Sequence, residues 1–350
     1  MDVGNSIRVL VVDDSAFMRK VISDMLNKYP GIQVIGTARN GQEALKKRKE
    51  LRPDVMTLDV EMPVMNGLET LKQLMEEDPC PTVMVSSTTK QGAENTLLAM
   101  EYGAVDFVTK PSGAISLDID KVEHQIIDKV IYASKAKVIR KEEKNVNRPL
   151  SNRVVPQKKM NQKKIVAIGI STGGPRALKE VIPKLQASIQ APIVIVQHMP
   201  AGFTLSLAER LNSLSDITVK EARDGDFLQN GTAYVAPGGF HLSIKKKGDA
   251  FVAHLHTEEP RRGHRPSVDV LYESLAEIPT VDTVAVIMTG MGADGTEGLI
   301  KLKKTSNCYA IAEAEKSCVV FGMPKAAIRT NLVDEIVPVE EISRCIERLL

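Results

Sequence analysis

The sequence predicts an α/β protein of two domains. The first is a five-stranded parallel doubly wound domain, and the second an α/β domain with a mostly parallel sheet plus an antiparallel section. Three observations carry this. Short apolar runs alternate with helix-length amphipathic segments in both halves of the chain, the pattern of a parallel sheet covered on both faces. A chain of 350 residues exceeds what one hydrophobic core usually supports. Between the halves lies a basic stretch with Pro, Asn and Gln and no periodicity of helix or strand.

In the first half, residues 8–12, 34–38, 54–58, 82–85 and 106–108 read as strands, with helices near 15–28, 41–50, 66–77, 92–102 and 121–138. These five β/α units set the first domain at 1–138. Residues 139–162 read as a flexible linker, because Lys137 to Lys164 carry ten Lys or Arg against two Glu. The second domain, 163–350, has strands at 165–170, 192–197, 284–288 and 308–312, a helix opened by Pro175 and another at 296–303. Between residues 233 and 257, YVAP, HLSIKK and FVAHLHT are separated by turns containing Gly. They read as antiparallel strands, so a mixed sheet is expected there.

Composition closes off several classes of function. A net charge of +2 sets up no global field toward nucleic acid or membrane. Aromatic residues are only 4% and Trp is absent, which argues against base-stacking platforms. The apolar runs fall far short of the ~20 residues that span a bilayer, and Asp13 and Asp14 end the first one at once. The expectation is a cytoplasmic protein with no signal peptide and no membrane insertion. Four cysteines without a C-x-x-C pair fit neither a disulfide framework nor a cysteine zinc site.

Chemistry in an open parallel sheet gathers outside the C-terminal strand ends. In the first domain those ends carry Asp13 and Asp14, Asp59, Ser86, and Lys110 followed by Pro111. Three converging carboxylates repel one another, and a divalent cation with oxygen ligands relieves this; Mg²⁺ suits one or two carboxylates plus phosphate oxygens. Taken singly, either aspartate of the first pair could cap a helix, Lys110 could be solvated and Ser86 a loop hydroxyl. Their joint placement at successive strand ends favours a site. The set VVDD, LDVEMPVMNG, VMVSS and DFVTKP resembles the response-regulator receiver domain. The resemblance implies Asp59 as phosphoacceptor. It also implies Mg²⁺ held by Asp14, Asp59, the Glu61 carbonyl and, through water, Asp13. Ser86 and Lys110 would read the phosphoryl group, and Phe107 occupies the switch-aromatic position.

The second domain opens with KKIVAIGISTGGPRAL. Gly169-x-Ser171-x-Gly173 matches a nucleophile elbow, with a strand before it and a helix after it. The helix N-terminus directs N–H groups toward an oxyanion near Ser171. A phosphate cradle is the competing reading, although G-x-G-x-x-G spacing and a Walker lysine are both missing. Serine needs a base, and His198 follows a buried strand. His241, His254, His256 and His264, near Glu258 and Glu259, leave a metal site conceivable. The base needs an orienting carboxylate, and Asp294 follows another strand, where it could instead cap the helix at 296–303. Chain order Ser…His…Asp differs from the usual α/β-hydrolase order Ser…Asp…His.

GISTGGP, QHMP, YVAPGG, HRPSVDVL and MTGMGADG resemble the catalytic domain of the chemotaxis protein-glutamate methylesterases. That resemblance implies Ser171 as nucleophile, His198 as base, Asp294 as its orienter, and an oxyanion hole drawing on the Met291 and Thr172 backbone. It further implies hydrolysis of glutamate γ-methyl esters, and deamidation of glutamines, on cytoplasmic helices of chemoreceptors. A chemotaxis histidine kinase is the expected phosphodonor. Ester hydrolysis by this route needs no metal. A DNA-binding output domain would be compact and helical, unlike the strand-rich residues 163–350. A nucleotide-binding enzyme would depend on the Gly169–Gly174 loop cradling phosphate.

Overall fold

A computed structural model describes residues 6–87, 89–110, 119–136 and 163–350 of the protein. Pro111, the end of the expected helix 121–138 and the linker 139–162 lie outside the described residues. The first sheet consists of β1 (Ile7–Val12), β2 (Ile32–Ala38), β3 (Val55–Asp59), β4 (Thr82–Ser86) and β5 (Asp106–Thr109). All neighbours are parallel, in the order β2-β1-β3-β4-β5. The helices are α1 (Ala16–Asn27), α2 (Gly41–Leu51), α3 (Gly67–Glu77), α4 (Lys90–Tyr102) and α5 (Ile119–Ala133). Polar residues start them where the sequence changes period. Ser15 accepts from the Met18 N–H and Asn40 from that of Glu43, while Asn66 and Glu69 form a reciprocal capping box. Val9 to Val12 and all of β3 and β4 are buried, as expected of strands covered on two faces.

The second sheet contains β6 (Lys163–Ile170), β7 (Ile193–Gln197), β8 (Thr218–Glu221), β9 (Thr232–Val235), β12 (Val281–Ile287), β13 (Cys308–Glu313) and β14 (Glu335–Val337). A separate antiparallel hairpin joins β10 (His241–Lys247) to β11 (Ala250–His256). Helices α6 (Gly174–Val181), α7 (Phe203–Asn212), α8 (Val268–Ala276), α9 (Thr296–Thr305), α10 (Met323–Ile328) and α11 (Val339–Leu349) complete the domain. The order of the seven-stranded sheet is β14-β13-β12-β6-β7-β9-β8, parallel throughout.

The expected fold class holds, but the mixed sheet does not. The Tyr234 and Val235 of YVAP close β9, parallel to β7 and β8, and only the other two segments pair as a hairpin. All of β9 is buried, so its position between two parallel strands satisfies both faces, whereas β10 ends in the exposed Lys245–Lys247 run. In the large sheet β6 lies between β7, which follows it in the chain, and β12, which comes much later. That reversal opens a crevice at the C-terminal end of β6.

The two domains meet along α4 and β5 on one side and α6 and α7 on the other. Phe107 stacks on Phe203 with ring centroids 4.7 Å apart. Glu101 pairs with Lys179 at 2.5 Å and with Arg210 at 3.0 Å. Among the described residues, no helix is long and apolar enough to cross a membrane.

Candidate functional site

Ser171 follows β6, His198 follows β7, and Asp294 lies in the loop after β12. The adjacency of those three strands brings together side chains far apart in sequence. Nδ1 of His198 is 3.1 Å from Ser171 Oγ, and Nε2 is 2.7 Å from Asp294 Oδ2. A carboxylate only accepts, so Nε2 carries the proton and Nδ1 is left to accept from the serine hydroxyl.

The carboxylate of Asp294 is 2% exposed and well supplied with donors. Oδ2 also accepts from the Val268 N–H at 2.7 Å, and Oδ1 from Ser267 Oγ at 2.8 Å and the N–H groups of Asp269 and Gly295. Burial alone would raise its pKa. The His198 ring and the backbone donors outweigh that and hold the carboxyl well below the usual carboxylate range. Asp294 is not a helix cap, because Gly295 occupies that position for α9.

The serine turn is shaped by glycines. Its left-handed residue is Gly173, at φ 76°, a conformation that costs an L side chain 1–2 kcal/mol or so. A Cβ on Gly290 would come within 2.7 Å of Ser171 Cβ, so only glycine lets the loop after β12 approach Ser171. That loop is tied to the turn, with the Ser171 N–H donating to Thr289 O and Thr289 Oγ1 to Thr172 O. The buried Glu313 in turn accepts from the Thr289 N–H at 2.8 Å. Side chains on Gly173 and Gly174 would strike Val319 and Gln197. Their bare faces therefore serve internal packing, which removes the argument for a phosphate cradle.

A cleft of about 420 Å³ joins Ser171, Thr172, His198 and Met291, with His264 and Arg265 on its wall. Residues of the first domain line it too: Asp106, His124, Gln125, Asp128 and Lys129. Thr172 Oγ1 donates to Asp106 Oδ2 at 2.6 Å across the domain boundary. The other carboxylate oxygen of Asp106 receives Lys129 Nζ at 2.8 Å. Lys129 also donates to the Phe107 carbonyl.

In the first domain, Asp13, Asp14 and Asp59 present ligand atoms within 4.8 Å of one another, the one metal-capable group among the described residues. Asp13 and Asp59 are buried and Asp14 is exposed. Lys110 Nζ lies 3.0 Å from Asp13 Oδ2 and 2.7 Å from Asp59 Oδ2. Burial pushes Asp59 up to about 6 despite the Lys110 ammonium. Asp59 Oδ1 accepts from the Glu61 N–H at 3.3 Å. Ser86 is at the expected strand end, but its hydroxyl bonds to Gly92 O and accepts from Thr96 Oγ1, away from the aspartates. Phe107, the expected switch aromatic, faces the domain boundary.

Among the described residues, the histidines beyond His198 are in no cluster of three metal-capable side chains. His254 pairs with Asp224, and His241 meets the Glu259 carbonyl. Sequence reasoning missed Ser267, Glu313 and the Asp106–Thr172 bond. Ser267 lies within HRPSVDVL, a segment that carried a resemblance but no assigned role.

A family model described as CheB methylesterase matches residues 166–346, and one described as response regulator receiver domain matches residues 9–119. Over 342 residues the chain is 61% identical to a protein-glutamate methylesterase/protein-glutamine glutaminase of Halalkalibacterium halodurans, with 98% of each chain covered. A protein of the same name from Geobacillus kaustophilus is 59% identical, with 99% of each covered. The crystal structure of the Thermotoga maritima CheB methylesterase catalytic domain is 46% identical and superposes with a TM-score of 0.52. It covers 54% of this chain and 99% of its own. With a receiver domain placed ahead of an esterase domain, and with matches that run nearly end to end, this chain belongs to the CheB methylesterase family.

Proposed function

We propose that Ser171, His198 and Asp294 carry out ester hydrolysis in this chain, within a catalytic domain spanning 163–350, joined by a linker at 139–162 to a receiver domain at 1–138. The chain is a protein-glutamate methylesterase and protein-glutamine glutaminase regulated through its receiver. The observation that carries the catalytic assignment is the unbroken hydrogen-bonded path from Ser171 Oγ through His198 to Asp294.

Ser171 Oγ attacks the γ-carbonyl carbon of a methylated glutamate while its proton passes to His198 Nδ1. The Met291 and Thr172 backbone donors face the oxygen that gains charge. The C–OCH₃ bond then breaks, and the His198 proton leaves with methanol. Water attacks the acyl-serine with its proton taken by the same nitrogen, releasing a free glutamate carboxyl and restoring the serine. With glutamine, ammonia leaves in place of methanol. General-base help contributes ~10²–10⁴ in rate and each oxyanion donor ~10²–10³. The substrates are methylated chemoreceptors. A serine-directed phosphonate should label one peptide, the one holding Ser171, and should stop turnover in proportion. Labelling at another serine, with turnover lost, would transfer the assignment there.

In the receiver, Asp59 accepts the phosphoryl group from a histidine kinase. Asp13, Asp14, Asp59 and the Glu61 carbonyl fit Mg²⁺, because three carboxylates converge on a site where a single lysine compensates two of them. Bound there, the ion offsets the charge of the carboxylates and of the phosphoryl oxygens. Lys110 then turns from Asp13 to a phosphoryl oxygen, and Ser86 from α4 to another.

The receiver restrains the esterase, since α5 and Asp106 wall the cleft and Asp106 holds Thr172 beside the nucleophile. A hydrogen bond to a charged group is worth ~1.5–3 kcal/mol. Asp106→Ala should therefore raise the unphosphorylated rate of methanol release roughly tenfold, each 1.4 kcal/mol or so being a factor of ten. Steric restraint is the wrong account if a chain lacking residues 1–160 turns over more slowly than the unphosphorylated whole.

A further inference from the structure

The cleft holds a second imidazole for which the reaction has no step. His264 lies face to face with His198, ring centroids 4.0 Å apart and planes within 7° of each other. Contact this close limits rotation of the His198 ring, since turning it drives its edge into the neighbouring face. His264 is itself held at the end of a tight turn. The Arg261 N–H donates to His264 O at 3.0 Å and the His264 N–H to Arg261 O at 2.9 Å, with Arg262 and Gly263 between them at φ 51° and 80°. A few residues on, Ser267, Val268 and Asp269 supply the donors that grip Asp294. One short segment thus covers the ring of the base and cradles the carboxylate that orients it.

Burial, with the neighbouring His198 adding to it, pushes His264 down to about 4. At neutral pH its ring is therefore uncharged and adds no second cation beside the imidazolium that forms when Ser171 is deprotonated. An imidazole serves Ser171 and Asp294 together only while its plane contains both partners, at 3.1 and 2.7 Å.

We propose that His264 is a positioning residue for the ester hydrolysis: its flat face, stacked on His198, keeps that ring in the plane shared by Ser171 Oγ and Asp294 Oδ2. The proposal rests on the assignment of those three residues above. It acts through the ring face, so the nitrogens of His264 are dispensable and its planarity is not.

The test uses the full-length protein and methanol release from methylated receptor membranes. His264→Ala should lose ~10- to 100-fold in kcat with KM nearly unchanged, the cost expected of a displaced catalytic group. His264→Phe keeps a flat ring without nitrogen and should recover most of that loss. By proton NMR, the far-downfield signal of the proton shared by His198 and Asp294 should persist in the phenylalanine variant and broaden or vanish in the alanine one. A wild-type kcat in His264→Ala overturns the proposal. So does a His264→Phe variant that folds yet is as slow as the alanine variant, since the nitrogens would then be what matters. His198→Ala, measured alongside, separates the two levels. If it keeps full turnover, the triad assignment fails; if it is dead while His264→Ala is unimpaired, only this proposal does.

Discussion

Replacing Ser171 with alanine should abolish methanol release, by a factor on the order of 10⁴ or more, in a protein that still folds. Loss of the nucleophile removes the covalent route entirely, and what survives is the modest assistance of binding and oxyanion donors. The fold should tolerate the change because the turn does not depend on the hydroxyl. The Ser171 N–H is held by Thr289 O, its carbonyl accepts from the Gly174 N–H and from Gln197 Nε2, and Gly173 supplies the left-handed residue. The side chain contributes one hydrogen bond, to His198, worth ~0.5–1.5 kcal/mol net. Thermal unfolding of the variant should stay close to that of the parent. A folded Ser171→Ala protein retaining a tenth of its activity would falsify the serine mechanism.

That a substitution can be chosen so narrowly reflects how much of the site can be read strand by strand. Asp13, Asp59, Ser171 and His198 each stand at the end of a short, mainly apolar run, and a parallel sheet places such positions along one edge. What stayed hidden depends on contacts between loops, or on strands too short to show a period. β14 has three residues, and β8, TVKE, sits at the sheet edge with its first residue exposed. YVAP was misplaced because a short, fully buried run suits either strand direction. Ser267 and His264 reach Asp294 and His198 only because their segment folds back over the crevice, and no spacing announces that. The Asp106–Thr172 bond runs from one domain to the other, so neither domain's pattern contains it. The orientation of the Ser86 hydroxyl is a matter of rotamer and neighbours, chiefly Gly92 and Thr96.

Asp294→Asn should come next in effect, lowering kcat by ~10⁴ through the proton on His198 rather than through its position. The two carboxylate oxygens do not face equal demands. Oδ1 accepts from Ser267 Oγ and from the Asp269 and Gly295 N–H groups, whereas Oδ2 accepts from the Val268 N–H and His198 Nε2. An asparagine offers one oxygen and one NH₂. Keeping its oxygen at the Oδ1 position satisfies more donors, and that turns the NH₂ toward His198. The ring must then accept at Nε2, and its proton moves to Nδ1, the nitrogen that has to take the proton of Ser171. KM should change little, and phosphonate labelling of Ser171 should slow in parallel with kcat. The variant should also be less stable at neutral pH, because a charged acceptor of several buried donors is lost. The folded-state carboxyl is held below its ordinary 3.8, so the stabilisation it gives is fully present above that value and is lost as the pH falls through the folded pKa. Urea unfolding of the two proteins should differ most above pH 4 and converge in stronger acid; a gap that widened on acidification would mean the Asp294 carboxyl is not the group being held.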